Sequence, residues 1–409
     1  MPVRSPASAT PSLTPQQEVS RIAELRAVHQ AFRYLHLREM EFRRWQMDLA
    51  QIPAPPFGEA ARAEWLRQRF LDLGLHDVEV DDLGNVFGLF SHDPQAPLFG
   101  MSAHLDTVFP QGTPVESHED GSKLYGPGIS DNAAGVVAML AVASALKQSE
   151  VQPAGNIVFI GNVGEEGEGN LRGMRHIFAD PHWGNAIRGL LVIDGAGADT
   201  YVTQALGSKR FEVTFRSPGG HSWSDFGIPN PIVLLCRALS HFSQAEVPES
   251  PRTTFNIGVI QGGTSVNSIP ESASARVDLR SASSHELQKL EARLHESVRS
   301  TAPPNSAGQR VNLEIKIIGD RPAATLPSDA RIVQVIRAVD AHLGVKSIPR
   351  LASTDANIPL SMGKEAITIG SGGDGGGAHT LREWFDCTHR DLGLKRILLA
   401  ALTLTGVNE

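Results

Sequence analysis

Five side chains in this sequence, His104, Asp131, Glu166, Asp194 and His379, carry the nitrogen and oxygen donors that divalent cations bind. Three follow apolar runs: Leu98–Ala103 precedes His104, Ile157–Gly161 precedes Glu166, and Leu190–Ile193 precedes Asp194. Two imidazoles, terminal carboxylates and one carboxylate to share would suit a pair of metal ions about 4 Å apart. Glu165, beside Glu166, is a spare carboxylate that could take a proton from water. If the set converges in space, it implies metal-dependent hydrolysis of a peptide-type amide.

Each motif has a plainer reading. In SAHLDTVFP, His104 is a candidate ligand, and Asp106 could hydrogen-bond its other ring nitrogen and fix the tautomer. A chance surface loop would look the same. In GISDNAAG, Asp131 stands where an Ala/Val/Leu-rich helix over 132–147 begins, and Asp is a favoured helix N-cap. In VGEEGEG, we assign Glu166 as ligand and Glu165 as base; the alternative is an acidic loop that includes Glu168. The glycines there fail the G-x-G-x-x-G spacing, and acids repel phosphate, which argues against a pyridine-nucleotide enzyme. Asp194 in VIDGAG could equally be turn chemistry. His379 follows the glycine-rich GSGGDGGGA, where backbone can approach closely. Mixed nitrogen and oxygen donors suit zinc, with cobalt or manganese as substitutes.

These residues need a scaffold. Residues 15–52 have helical spacing of Ile22, Leu25, Val28, Phe32 and Leu35, ended by IPAPPFGE. A helix over 59–73 and a strand pair over 78–90 follow. Four apolar runs (98–103, 157–161, 190–193, 366–369) alternate with helical patterns, which predicts an α/β fold with a mostly parallel sheet. Residues 208–318 read β-α-β-β-α-β, a ferredoxin-like unit inserted in the larger domain. We therefore expect a tail over 1–14, a catalytic domain over 15–207 and 319–409, and a lid or dimerisation domain over 208–318.

The chain has 409 residues, enough for two domains. Its 41% hydrophobic and 20% charged content fits a globular protein, and net charge −8 without a basic run excludes a nucleic-acid footprint. No apolar run approaches the roughly 20 residues that span a membrane, and the Ser/Pro/Ala-rich N-terminus lacks a signal-peptide core. Cys236 and Cys387, expected as buried small hydrophobes, offer no disulfide framework. A cytoplasmic location is expected.

Taken in order, HLDT at 104, GISDNAAG at 128, GEEGEG at 164, IDG at 193, GGHSW at 219 and GGAH at 376 resemble the dizinc exopeptidases of the family that includes peptidase T, carboxypeptidase G and succinyl-diaminopimelate desuccinylase. The resemblance covers nearly everything after the N-terminal helical region. It implies one zinc on His104, Asp131 and Asp194, and a second on Asp131, Glu166 and His379. It makes Glu165 the general base and Asp106 the partner of His104. It also gives His221 the task of steadying the oxyanion, often from the partner subunit of a homodimer. Arg280 and Asn267 match substrate-contacting positions, although Arg280 could equally form an ordinary strand salt bridge. The segment STDANIP, with Asp355 and Asn357, is similar to peptidase T and favours short peptides as substrate. The GGHSWSDFG region departs from the peptidase T pattern, and the N-terminal helical region has no counterpart in the shorter members. An N-acyl amino acid deacylase or desuccinylase is the alternative, and a non-catalytic metal-stabilised binding protein is a more distant one.

Overall fold

The computed structural model describes residues 13–91, 93–302 and 311–408. Four strands, Asn156–Asn162, Leu98–His104, Ile187–Ile193 and Glu365–Ile369, run parallel side by side in that spatial order. Val86–Phe90 and then His76–Val80 extend the sheet antiparallel on one flank. On the other, Thr200–Ala205 pairs antiparallel with Glu365–Ile369, parallel with Ile348–Ala352 and antiparallel with Ala324–Thr325. The expected mostly parallel α/β sheet is present, with antiparallel edges. All seven residues of Asn156–Asn162 are buried. Successive strand residues point to opposite faces, so both faces are covered.

The helix Ala133–Ser149 is apolar and buried almost all round. It lies between the central strands and the helices Arg26–Leu37, Glu39–Ala50 and Arg390–Thr405. Residues 15–52 form three helices, Pro15–Ala23, Arg26–Leu37 and Glu39–Ala50, where the sequence suggested one. One straight helix of that length would run roughly 55 Å and overshoot the sheet. The breaks let the first helix bury Val19 and Ile22 against Arg331–Leu343, and the second bury Val28, Ala31 and Leu35 against Ala133–Ser149. Thr14 and Gln17 form a reciprocal capping box at the start. Residues 1–12 of the expected tail lie outside the described residues; Thr14, also assigned to it, is the cap.

A separate four-stranded antiparallel sheet has the order Thr253–Gly262, Ser272–Ser281, Gly207–Arg216, Asn312–Arg321. The helices Pro231–Phe242 and Ser284–Thr301 pack on it. Buried Ala273, Ala275, Val277 and Leu279 alternate along one strand and meet Phe211, Val213, Phe215, Leu235 and Leu294 in a second hydrophobic cluster. Most of the loop TAPPNSAGQ falls on 303–310, outside the described residues. Cys387 is buried as expected, but Cys236 is exposed. Helix Pro231–Phe242 turns Leu234, Leu235, Ala238 and Leu239 inward, which leaves position 236 on its outer side. Among the described residues, no helix is long and apolar enough to cross a membrane.

Two core helices are joined by a buried ion pair. Arg396 donates to Asp340 twice, at 2.6 and 3.0 Å, and Ser347 donates to the same carboxylate. Asp340→Ala would strand a fully buried guanidinium. The expected loss is about 3–5 kcal/mol, read from the shift in urea unfolding midpoint. An unchanged midpoint would show that the pair adds nothing.

Candidate metal centre

The parallel strands all present their C-terminal ends at one rim, where open α/β sheets bind ligands. His104 is the last residue of its strand. Asn162 ends the neighbouring strand, three residues before Glu165. Asp194 directly follows Ile187–Ile193. Asp131 precedes the buried helix, but it is not the N-cap: Asn132 caps, accepting from the Gly135 amide. The Asp131 carboxylate is thereby free to face the rim.

The five predicted donors converge. His104 Nε2 lies 3.1 Å from Asp131 Oδ1 and 3.6 Å from Asp194 Oδ1. His379 Nε2 lies 3.1 Å from Asp131 Oδ2 and 3.1 Å from Glu166 Oε1. Two three-residue groups result, His104–Asp131–Asp194 and Asp131–Glu166–His379, and they share Asp131 through its two separate oxygens. A third group, His104–Glu165–Glu166, places Glu165 alongside.

Hydrogen bonding decides what the cluster wants. His104 Nδ1 is 3.1 Å from the Asp106 carbonyl, which can only accept, so Nδ1 carries the hydrogen. A neutral His104 therefore points the Nε2 lone pair at two carboxylates. Asp131 Oδ1 is buried without a donor in hydrogen-bonding geometry. Lone pair facing lone pair calls for a positive charge between them. Against burial, Asp106, Asp131 and Asp194 raise the His104 pKa well above its usual value, so a proton can fill that place. So can a metal ion, for which imidazole and carboxylate donors suit zinc, cobalt or manganese. The charge balance agrees. Burial, reinforced by the Asp131 charge, pushes Glu166 up to about 7. Hydrogen bonding to Asp131, against the effect of burial, lifts His379 to about 9. Burial raises Glu165 well above the carboxylate range although Arg321 opposes it. Against burial, His104 and His379 hold Asp131 well below its ordinary value.

Asp106 departs from its expected contact. Its carboxylate is 3.7 Å from His104 Nδ1, and it is the Asp106 carbonyl that meets the ring. The carboxylate oxygens accept the backbone N–H groups of Glu165 (2.9 Å) and Glu166 (2.7 Å). Two open peptide amides are better donors for a buried carboxylate than an imidazole nitrogen already engaged. Below it, Arg62 donates to the carbonyls of Ile52 and Leu105, and burial pulls its guanidinium down to about 10.

The remaining predicted residues lie elsewhere. His221 and Asn267 come together at a two-stranded sheet, Gly220–His221 with Ser268–Ile269, where the Ser222 amide donates to the Asn267 carbonyl. His221 Nδ1 accepts the amides of Trp223 and Ser224, so a neutral ring carries its hydrogen on Nε2. Arg280 donates to Asp278 on its own strand at 2.7 Å. Among the described residues, no hydrogen bond or ion pair joins His221, Asn267 or Arg280 to the five donors. Asp355 is buried and accepts from Asn162, and burial raises it to about 7. Asn357 donates to the carbonyls of Leu206 and Pro322.

Sequence reasoning missed Glu383 and Arg321. Glu383, wholly buried, accepts the amides of Gly128 (2.9 Å), Ser130 (2.8 Å) and Asp131 (2.7 Å). Arg321 Nη1 donates to Glu165 Oε1 at 3.0 Å. Glu383 follows His379 by four residues in the same glycine-rich segment, but nothing local ties it or Arg321 to partners more than 150 residues away.

The family description peptidase family M20/M25/M40 matches residues 100–403. The chain belongs to this peptidase family. It is thus a hydrolase, and the rim cluster is its candidate metal centre. Among solved structures, it is similar to a tripeptidase of Staphylococcus aureus (TM-score 0.72, 22% identity, 88% of this chain and 97% of that one). It is also similar to aminopeptidase PepT of Bacillus cereus (TM-score 0.71, 20% identity, 90% and 98%). A curated relative, a "probable succinyl-diaminopimelate desuccinylase" of Staphylococcus aureus, is 22% identical over 347 residues, 74% of this chain and 81% of its own.

Glu383→Ala would release three amides and loosen Asp131. Metal affinity should fall about 10–100-fold, as for other residues that hold a ligand in place. Chelator competition measures it, and an unchanged affinity would count against this role for Glu383.

Proposed function

We propose that the protein is a two-zinc exopeptidase that hydrolyses short peptides. The observation that carries this reading is the pair of three-residue donor groups sharing Asp131, with Glu165 beside them. His104, Asp131 and Asp194 would hold one ion, and Asp131, Glu166 and His379 the other. Bound zinc supplies a Lewis acid and brings the pKa of water to about 7.

The chain's own groups do the rest. Glu165 accepts the proton of the attacking water and delivers it to the leaving amine. Asp106, through two backbone amides, keeps Glu165 and Glu166 in register. His221, which lies apart from the five donors within one chain, would reach them from the partner subunit of a homodimer, where its Nε2–H steadies the oxyanion, a contribution of roughly 10²–10³ in rate. Arg280 and Asn267 contact the substrate. The similarity to a tripeptidase and to PepT favours short peptides; the desuccinylase relative favours N-acyl amino acids as the alternative.

We further assign residues 208–318 as a lid and dimerisation domain in a homodimer. Supporting this, Trp223, Phe226 and Val266 near His221 are almost fully exposed, and the sheet-edge strand Thr253–Gly262 exposes Val259 and Ile260. Large exposed apolar side chains and an open edge both call for a partner. Sedimentation should show dimer, and a monomer at micromolar concentration would sink that part.

Two measurements test the chemistry. Glu165→Ala should retain both metal ions while kcat falls by about 10²–10⁴, the range for losing a general base. Substantial residual turnover would remove Glu165 from the mechanism. A panel of free tripeptides against N-acetyl and N-succinyl amino acids should show the tripeptides cleaved faster; the reverse ranking would establish the deacylase.

A further inference from the structure

Glu165 is almost wholly buried, and Arg321 is its ion-pair partner among the described residues. Arg321 holds it at two points. Nη1 donates to Oε1 at 3.0 Å, and Nη2 donates to the Glu165 backbone carbonyl. Nη1 also reaches Ser353 Oγ at 3.2 Å, which limits the swing of the guanidinium itself. Fixing the carbonyl and the carboxylate of one residue together fixes its side-chain torsions. It also divides the carboxylate: Oε1 is engaged, and Oε2 accepts no hydrogen bond among the described residues.

The source of Arg321 is unexpected. It is the last residue of Asn312–Arg321, the strand that closes the four-stranded sheet. That strand end is itself tied to the segment after Glu166. The Asp320 amide donates to Asn170 Oδ1 at 2.9 Å, and Arg175 donates to the Asp320 carbonyl. The small sheet therefore reaches the segment 165–175 at several points, and among the described residues Arg321 is the one that bonds the Glu165 carboxylate.

We propose that Arg321 is a positioning residue for catalysis: it orients Glu165 so that Oε2 alone is presented to the water, and so makes the base depend on the seating of the small sheet. This rests on the reading of Glu165 as the base. A planar guanidinium suits the task because it donates in two directions from a fixed fork, which an ammonium cannot do.

The test uses the full-length, metal-loaded protein. Arg321→Ala should keep its metal content and fold, with kcat falling about 10²-fold, the cost of misplacing a reacting group by about an ångström, and KM nearly unchanged. Arg321→Lys should recover about a tenfold part of that loss, since it can reach Oε1 but not the carbonyl as well. Added guanidinium should partly rescue Arg321→Ala. A merely structural arginine would give neither the split between kcat and KM nor the rescue. Unchanged kcat, or a raised KM at normal kcat, would overturn the proposal, the latter by making Arg321 a substrate contact. If Arg321→Ala does not fold, Arg321→Lys decides alone: wild-type kcat overturns the proposal, and reduced kcat at normal KM supports it. Glu165→Ala run in parallel separates the two levels. If that variant stays active, the assignment of the base has failed; if it is inactive while Arg321→Ala is normal, this inference alone has failed.

Discussion

Asp131 is the point on which the site turns. Each of its oxygens faces a different imidazole nitrogen at 3.1 Å, and Glu166 and Asp194 close the two groups. Like charges about 4 Å apart cost about 4 kcal/mol at the effective dielectric of a protein site. Three such carboxylates stay together when cations lie between them. Everything around Asp131 serves to hold that arrangement against its own repulsion.

The acids near the rim divide into two kinds by what their oxygens meet. Asp131, Glu166 and Asp194 face imidazole nitrogens. Asp106 and Glu383 face backbone amides, five in all, from Glu165, Glu166, Gly128, Ser130 and Asp131. A carboxylate spanning several amides fixes a loop more firmly than any turn residue can, because each bond is charge-assisted and shielded from water. Both glycine-marked loops are built this way. The second constraint is the junction with the small sheet. Ser208 and Arg321 pair where its first and last strands meet, and Asn357 bonds the carbonyls of Leu206 and Pro322 just outside. Entry and exit are thus stapled beside the loop of Glu165.

Much of this was legible in the sequence. The apolar runs gave the parallel strands because a strand buried on both faces must be apolar throughout. The order of elements over 208–318 gave the small sheet, whose strand order follows from that connectivity. The five candidate donors could be picked out because metal ligands must have particular chemistry and because strand ends tend to place them, and the structure brings their donor atoms together. What misread was local. Residues 15–52 looked like one helix because periodicity does not register a turn at Glu24 or Arg38. Cys236 looked buried because a lone cysteine carries no sign of which side of its helix it occupies.

The sequence by itself determined the donor set, the order of the elements and the kind of chemistry, since these depend on residue type and on contacts between near neighbours. Tertiary structure alone decided which oxygen of Asp131 faces which imidazole, that Asp106 meets amides rather than a ring, and that Glu383 and Arg321 belong to the site at all. The reason is range. Glu383 and Arg321 act on partners more than 150 residues away. A hydrogen bond across that distance is set by how helices and sheets pack, and it leaves no trace in the spacing of the residues that make it.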